Sequence, residues 1–131
     1  MSQAYVHKKF IFNENIDEDH VYGMYEYDYP YIAEVFAGSL DSLNEDTRHF
    51  TSAFESADIA SLKRTTHKIK PIFGFTGLLH HQEMMARFEH LCETSSGTGN
   101  ITMQYMEMNE LIKEGKIILK EEYNRLTVFL S

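Results

Sequence analysis

The sequence predicts an all-α fold, an antiparallel four-helix bundle with an additional N-terminal segment or short helix. Three observations predict it. Apolar residues recur at steps of three and four through four separate stretches, the period that buries one stripe of an α-helix. Only two prolines occur, Pro30 and Pro71, so little interrupts those stretches. Short turns join them, which makes neighbouring helices antiparallel. With 131 residues, 43% of them hydrophobic, the chain is one ordinary domain able to bury a core.

Residues 1–27 read as an arm or capping segment on a bundle formed by residues 28–131. Phe10, Ile11 and Phe12 fit either a short strand or a packed arm. Tyr22, Tyr25, Tyr27, Tyr29 and Tyr31 crowd into ten residues. They read as a cap on one end of the bundle, rings inward and hydroxyls outward. Asp28-Tyr29-Pro30 is a turn or helix-start signal. A long helix is expected over about 31–56, burying Ile32, Val35, Phe36, Leu40, Leu43, Phe50 and Phe54. Asp58 is a natural N-cap for a second helix, whose seam is Ile59, Leu62, Thr66, Ile69 and Phe73. Gly74 and Gly77 weaken its end. A third helix, about 78–93, buries Leu78, Met84, Met85, Phe88 and Leu91. Ser95 to Asn100 is the clearest loop. The last helix carries Ile101, Tyr105, Met108, Ile112, Gly115, Leu119, Glu122 and Leu126 on one seam. Gly115 and Glu122 blemish that seam, and Ile117 and Ile118 widen it.

Composition excludes several functions. A formal charge of -8 and a pI of about 5.3 argue against a nucleic-acid footprint, which needs a basic face. Cys92 is the only cysteine, so no internal disulfide and no cysteine-based zinc site can form. No signal peptide or membrane span is evident, and a cytoplasmic protein without membrane insertion is expected. P-loop, Rossmann and hydrolase motifs are absent, which argues against an independent enzyme.

His67 stands out among seven histidines. On a helical wheel it falls roughly 120° from the centre of the second helix's seam, so position excludes it from the core. Its neighbours on that face are Ala60, Lys63, Arg64, Lys70, Pro71 and Gly74. Lys63, Arg64, Lys68 and Lys70 place four of the twelve basic residues within eight positions of an acidic chain. Such a patch eases the approach of a phosphoryl group or of a partner's acidic pocket; a solvated helix face is the plain alternative. Lys70, one turn on, is best placed to reach a phosphate oxygen. Ala60, Pro71 and Gly74 keep the surface beside the imidazole low enough for another domain to approach. Pro71 lacks the N–H that would bond the carbonyl of His67, so a kink or helix end close by is expected. Histidine suits phosphoryl chemistry, since an unperturbed pKa of about 6.5 leaves mostly neutral, nucleophilic imidazole at cellular pH.

His67-Lys68-Ile69-Lys70, followed by Gly74, Gly77 and Leu78, resembles the signature of histidine phosphotransfer (HPt) domains. In that signature an aliphatic residue lies two positions after the histidine, a lysine three after and a glycine ten after. Ile69, Lys70 and Gly77 hold those positions, and Phe88-Glu89 stands where the family usually has Leu-Glu. The resemblance spans roughly residues 29–125. It departs from the pattern at Pro71 and Ile72, where the family has small residues, and at His81, which is usually aliphatic.

The resemblance implies a phosphocarrier, not an enzyme. His67 would accept the phosphoryl group and Lys70 would support its charge. Ala60, Lys63, Arg64, Lys68, Pro71 and Gly74 would dock the partner. The partners implied are receiver domains of a hybrid histidine kinase and a response regulator. They would supply the Mg²⁺; no cofactor or metal is expected on this chain, and a monomer is expected. Two alternatives stay open: a helical adaptor that docks a receiver without transfer, and a metal-binding bundle using His80, His81 or His90. His7, His20 and His49 read as surface or packing residues, and Cys92 as a small core residue.

Overall fold

Aspartates begin three of the five helices. In the computed structural model, which describes residues 8–131, these are α1 (Glu18–Tyr25), α2 (Tyr29–Glu55), α3 (Ile59–Phe75), α4 (Leu79–Thr94) and α5 (Thr102–Leu130). The carboxylates of Asp17, Asp28 and Asp58 accept backbone N–H groups of His20, Tyr31 and Ser61, donors the helix itself leaves unpaired. Each helix end also has a cause. Ala57 takes a left-handed φ of 55°, and the Asp58 N–H turns back to the Ala53 carbonyl at 2.9 Å. Gly77, at φ +77°, closes α3 in the same way through Leu78 N–H to the Phe73 carbonyl. A 3₁₀ turn, Thr98–Ile101, occupies the second half of the expected loop and leads into α5.

α2, α3, α4 and α5 pack in a ring, each against the next, with α5 closing back onto α2. Tyr29 at the start of α2 meets Phe129 at the end of α5, with ring centroids 5.1 Å apart. At the other end Phe54 stacks on Tyr105 at 3.8 Å. The two helices are therefore antiparallel. Phe36, Leu43, Phe50, Leu62, Ile69, Phe73, Met85, Ile112 and Leu119 fill the centre. Gly115 gives α5 room for Phe73, whose ring would lie 2.6 Å from any added Cβ. The described residues contain no strand, and no helix among them is long and apolar enough to cross a membrane.

His7 and the rest of the first seven residues of the expected arm lie outside the described residues. Phe10 to Phe12 form a packed arm, not a strand: Phe10 and Phe12 are buried and Ile11 faces solvent. The tyrosine cap differs from expectation in its polar ends. The Tyr22 and Tyr25 hydroxyls donate to the carbonyls of Phe10 and Phe75, and the Tyr29 hydroxyl accepts the Phe10 N–H. Only Tyr27 and Tyr31 stay largely exposed. Glu122, the expected blemish on the last seam, is buried because its carboxylate anchors the arm. It accepts the Asn13 N–H at 2.8 Å and pairs with Arg125, whose guanidinium also reaches the Ile11 carbonyl at 2.9 Å. Ile118 joins the core, whereas Ile117 is exposed.

A candidate phosphoryl-accepting histidine on α3

α3 turns its apolar seam, Leu62, Thr66, Ile69 and Phe73, fully into the bundle. That rotation leaves His67 on the outer surface beside α4, with its side chain 68% exposed. Across the groove stands Glu89 of α4, held in place because Met85, Phe88 and Cys92 bury the neighbouring face of that helix. Glu89 Oε2 lies 2.7 Å from His67 Nδ1, and its Oε1 accepts the Lys70 ammonium at 2.8 Å. Burial pulls the Glu89 carboxyl upward, but the hydrogen bonds from Lys70 and His67 outweigh it and hold the group below its ordinary range. An ionised carboxylate can only accept, so Nδ1 carries the imidazole proton. Nε2 is then the ring nitrogen with a free lone pair, and among the described residues it has no hydrogen-bond partner.

The basic residues around His67 are largely occupied. Lys63 pairs with Glu93 of α4 at 3.3 Å, and Lys68 with the buried Asp46 of α2 at 3.5 Å. Lys70 is committed to Glu89. Arg64 instead donates to the Ser61 hydroxyl at 2.8 Å. Ala60, Lys63, Arg64, His67, Lys68 and Glu89 line one open hollow, so five of the expected site residues come together with Glu89. Pro71 lies half-buried a turn further along α3. It does not end the helix, which runs on to Phe75.

Gly74 departs from the expected docking face. It is buried, and a Cβ there would lie 2.4 Å from the Gln82 side chain of α4. Its small size makes room for Gln82, and its carbonyl lies 3.0 Å from His20 Nε2 of α1. Gly77 is likewise a packing residue, with Val21 and Ile16 2.7 and 2.9 Å from the place of its missing Cβ. Its position ten residues after the histidine thus seats α1 on the α3–α4 turn.

The histidines of the metal alternative do not converge. His81 is buried against Phe73, while His80 and His90 are exposed. Among the described residues no three His, Cys, Asp or Glu side chains gather to hold a metal ion. Cys92 is buried, and that burial pushes its thiol up to about 11, away from nucleophilic use. Sequence reasoning missed Glu89, Asp46 and Glu93 as the carboxylates that hold the basic residues of α3. The signal available for Glu89 was its place next to Phe88, on the flank of α4's apolar stripe.

The architecture matches a solved structure. The crystal structure of the HPT domain from a sensor hybrid histidine kinase of Shewanella superposes with a TM-score of 0.74, covering 85% of this chain and 95% of that one. The chain has the HPt fold. Sequence identity over that match is 16%. No protein-family model matches the chain, and no curated protein matches it. Within that fold, α3 is the helix that carries His67.

Proposed function

We propose that this protein is a phosphocarrier: His67 accepts a phosphoryl group from the aspartate of one receiver domain and passes it to that of another. The donor would be a receiver of a hybrid histidine kinase, and the acceptor that of a response regulator. One observation carries this reading: an exposed imidazole whose Nδ1 is held at 2.7 Å by an ionised carboxylate, on an HPt fold.

The step follows from that tautomer. The Nε2 lone pair attacks phosphorus as the bond from phosphorus to the donor's carboxylate oxygen breaks, and the aspartate leaves as carboxylate. No proton needs to move. The Nδ1 proton stays shared with Glu89, whose negative charge offsets the positive charge the ring acquires. Lys70 fixes the other Glu89 oxygen, so it supports the site through Glu89. Transfer to the second receiver is the same step reversed; Mg²⁺ held by the receiver would supply charge neutralisation of the phosphoryl oxygens.

The test is to incubate the protein with a phosphorylated receiver and Mg²⁺, comparing wild type with His67→Gln. Acid-labile, base-stable label on the wild type and none on the variant is the expected result. Receiver binding without any label on the wild type would leave a non-transferring adaptor and sink the phosphocarrier reading.

A further inference from the structure

A phosphoryl group on Nε2 brings about two negative charges to the surface of α3. Of the four basic residues near it, three already have a carboxylate: Lys63 has Glu93, Lys68 has Asp46 and Lys70 has Glu89. Arg64 has none within ion-pair distance among the described residues. It is held by one hydrogen bond to a neutral oxygen, Ser61 Oγ, which itself donates to Asp58, whose carboxylate feels the guanidinium's charge from beyond ion-pair distance. It lies one turn before His67, on the face the imidazole occupies, and is exposed in the same hollow. A helical side chain leans toward the N-terminus of its helix, so the His67 ring tilts toward the turn that carries Arg64.

The geometry points to Arg64 as the residue that clamps the phosphoryl group on His67, its guanidinium leaving Ser61 to take two phosphoryl oxygens. This rests on the phosphocarrier reading of His67. It assigns phosphate contact to Arg64, whereas Lys70, the residue the sequence points to, stays on Glu89. The exchange is favourable because it trades one neutral hydrogen bond for a bidentate contact between opposite charges, and no existing ion pair has to break. A lysine in its place would restore charge but not the two-pronged geometry.

The experiment labels the protein with phosphoramidate, a small donor that needs no receiver, and follows His67 phosphorylation in wild type, Arg64→Gln, Arg64→Lys and Ser61→Ala. Arg64→Gln is expected to slow labelling about tenfold, with Arg64→Lys in between. Ser61→Ala, which frees the guanidinium, is expected to label at least as fast as wild type. In wild type the Arg64 side-chain N–H resonances should shift on phosphorylation, and in His67→Gln they should not. Wild-type rates in Arg64→Gln, or Arg64 resonances unmoved in the labelled protein, would overturn the assignment while leaving His67 as acceptor. A slow Ser61→Ala would also overturn it, since the α3 cap and not the guanidinium would then set the rate. Wild type that takes no label from phosphoramidate or from a phosphorylated receiver would defeat the phosphocarrier reading itself.

Discussion

Glu89 has two oxygens and two partners, and this division of labour decides what His67 can do. One oxygen fixes the Nδ1 proton; the other is tied down by Lys70. If His67 is the phosphoryl acceptor proposed above, Glu89→Gln keeps the shape but removes the charge that would stabilise the phosphorylated ring. Losing a charge-assisted hydrogen bond of about 1.5–3 kcal/mol predicts phosphorylation slower by roughly 10- to 100-fold, with the helical content unchanged. Stopped-time labelling from a phosphorylated receiver measures it, and an undiminished rate would remove Glu89 from the site. Lys70→Ala is expected to cost less, because Lys70 works through Glu89. In a Glu89→Ala background the lysine substitution should then add nothing. Additive losses in that double-variant cycle would mean that Lys70 touches the phosphoryl group directly.

At the scale of elements, Gly77 holds the seam between α1 and the rest. Its φ of +77° is strained for any side chain, and Val21 and Ile16 occupy the space a Cβ would need. Gly77→Ala is expected to lower unfolding free energy by about 1–3 kcal/mol and to loosen α1 first. Urea unfolding combined with amide exchange over Glu18–Tyr25 would show it; a variant with wild-type stability and protection would refute the role. The bundle helices were legible because their seams are periodic: all eight residues read on the last seam, from Ile101 to Leu126, are buried. α1 and the arm were legible only as an additional N-terminal segment or short helix, because their order comes from tertiary bonds with no sequence period. The Tyr22 and Tyr29 hydroxyls, Glu122 and Arg125 all act on arm backbone groups. His67 and its basic neighbours were visible on a single wheel. Glu89 required the rotation of α4 against α3, which depends on how Met85 and Phe88 pack. Gly74 was misread as open surface for the same reason, since only the packed pair of helices shows Gln82 lying over it.

For the whole molecule, acid sensitivity falls into two windows set by buried and bridging groups. His81 of α4 packs toward α5, its side chain 3% exposed, against Phe73 of α3 and next to Gly115. Its Nε2 is 2.9 Å from Glu114 Oε1, but neither ring nitrogen makes an aligned hydrogen bond, and Glu114 itself is mostly in solvent. Burial therefore outweighs the carboxylate and pushes the His81 pKa below its ordinary value. The sign follows. The unfolded chain binds a proton here at about pH 6.5, the folded chain only at lower pH, so unfolding takes up a proton in between. The contribution of neutral His81 is complete above about pH 6.5 and is lost as pH falls from there through the lowered folded value. Glu89, also depressed, gives a second loss only in the carboxylate range, as its bonds to Lys70 and His67 are protonated away. His81→Leu fills the same apolar space without a titrating group. Unfolding free energies measured between pH 5 and 7.5 should fall toward acid for wild type and stay flatter for the variant, the two diverging below about pH 6.5. Parallel curves across that range would show that the buried imidazole is not what makes the bundle sensitive to mild acid.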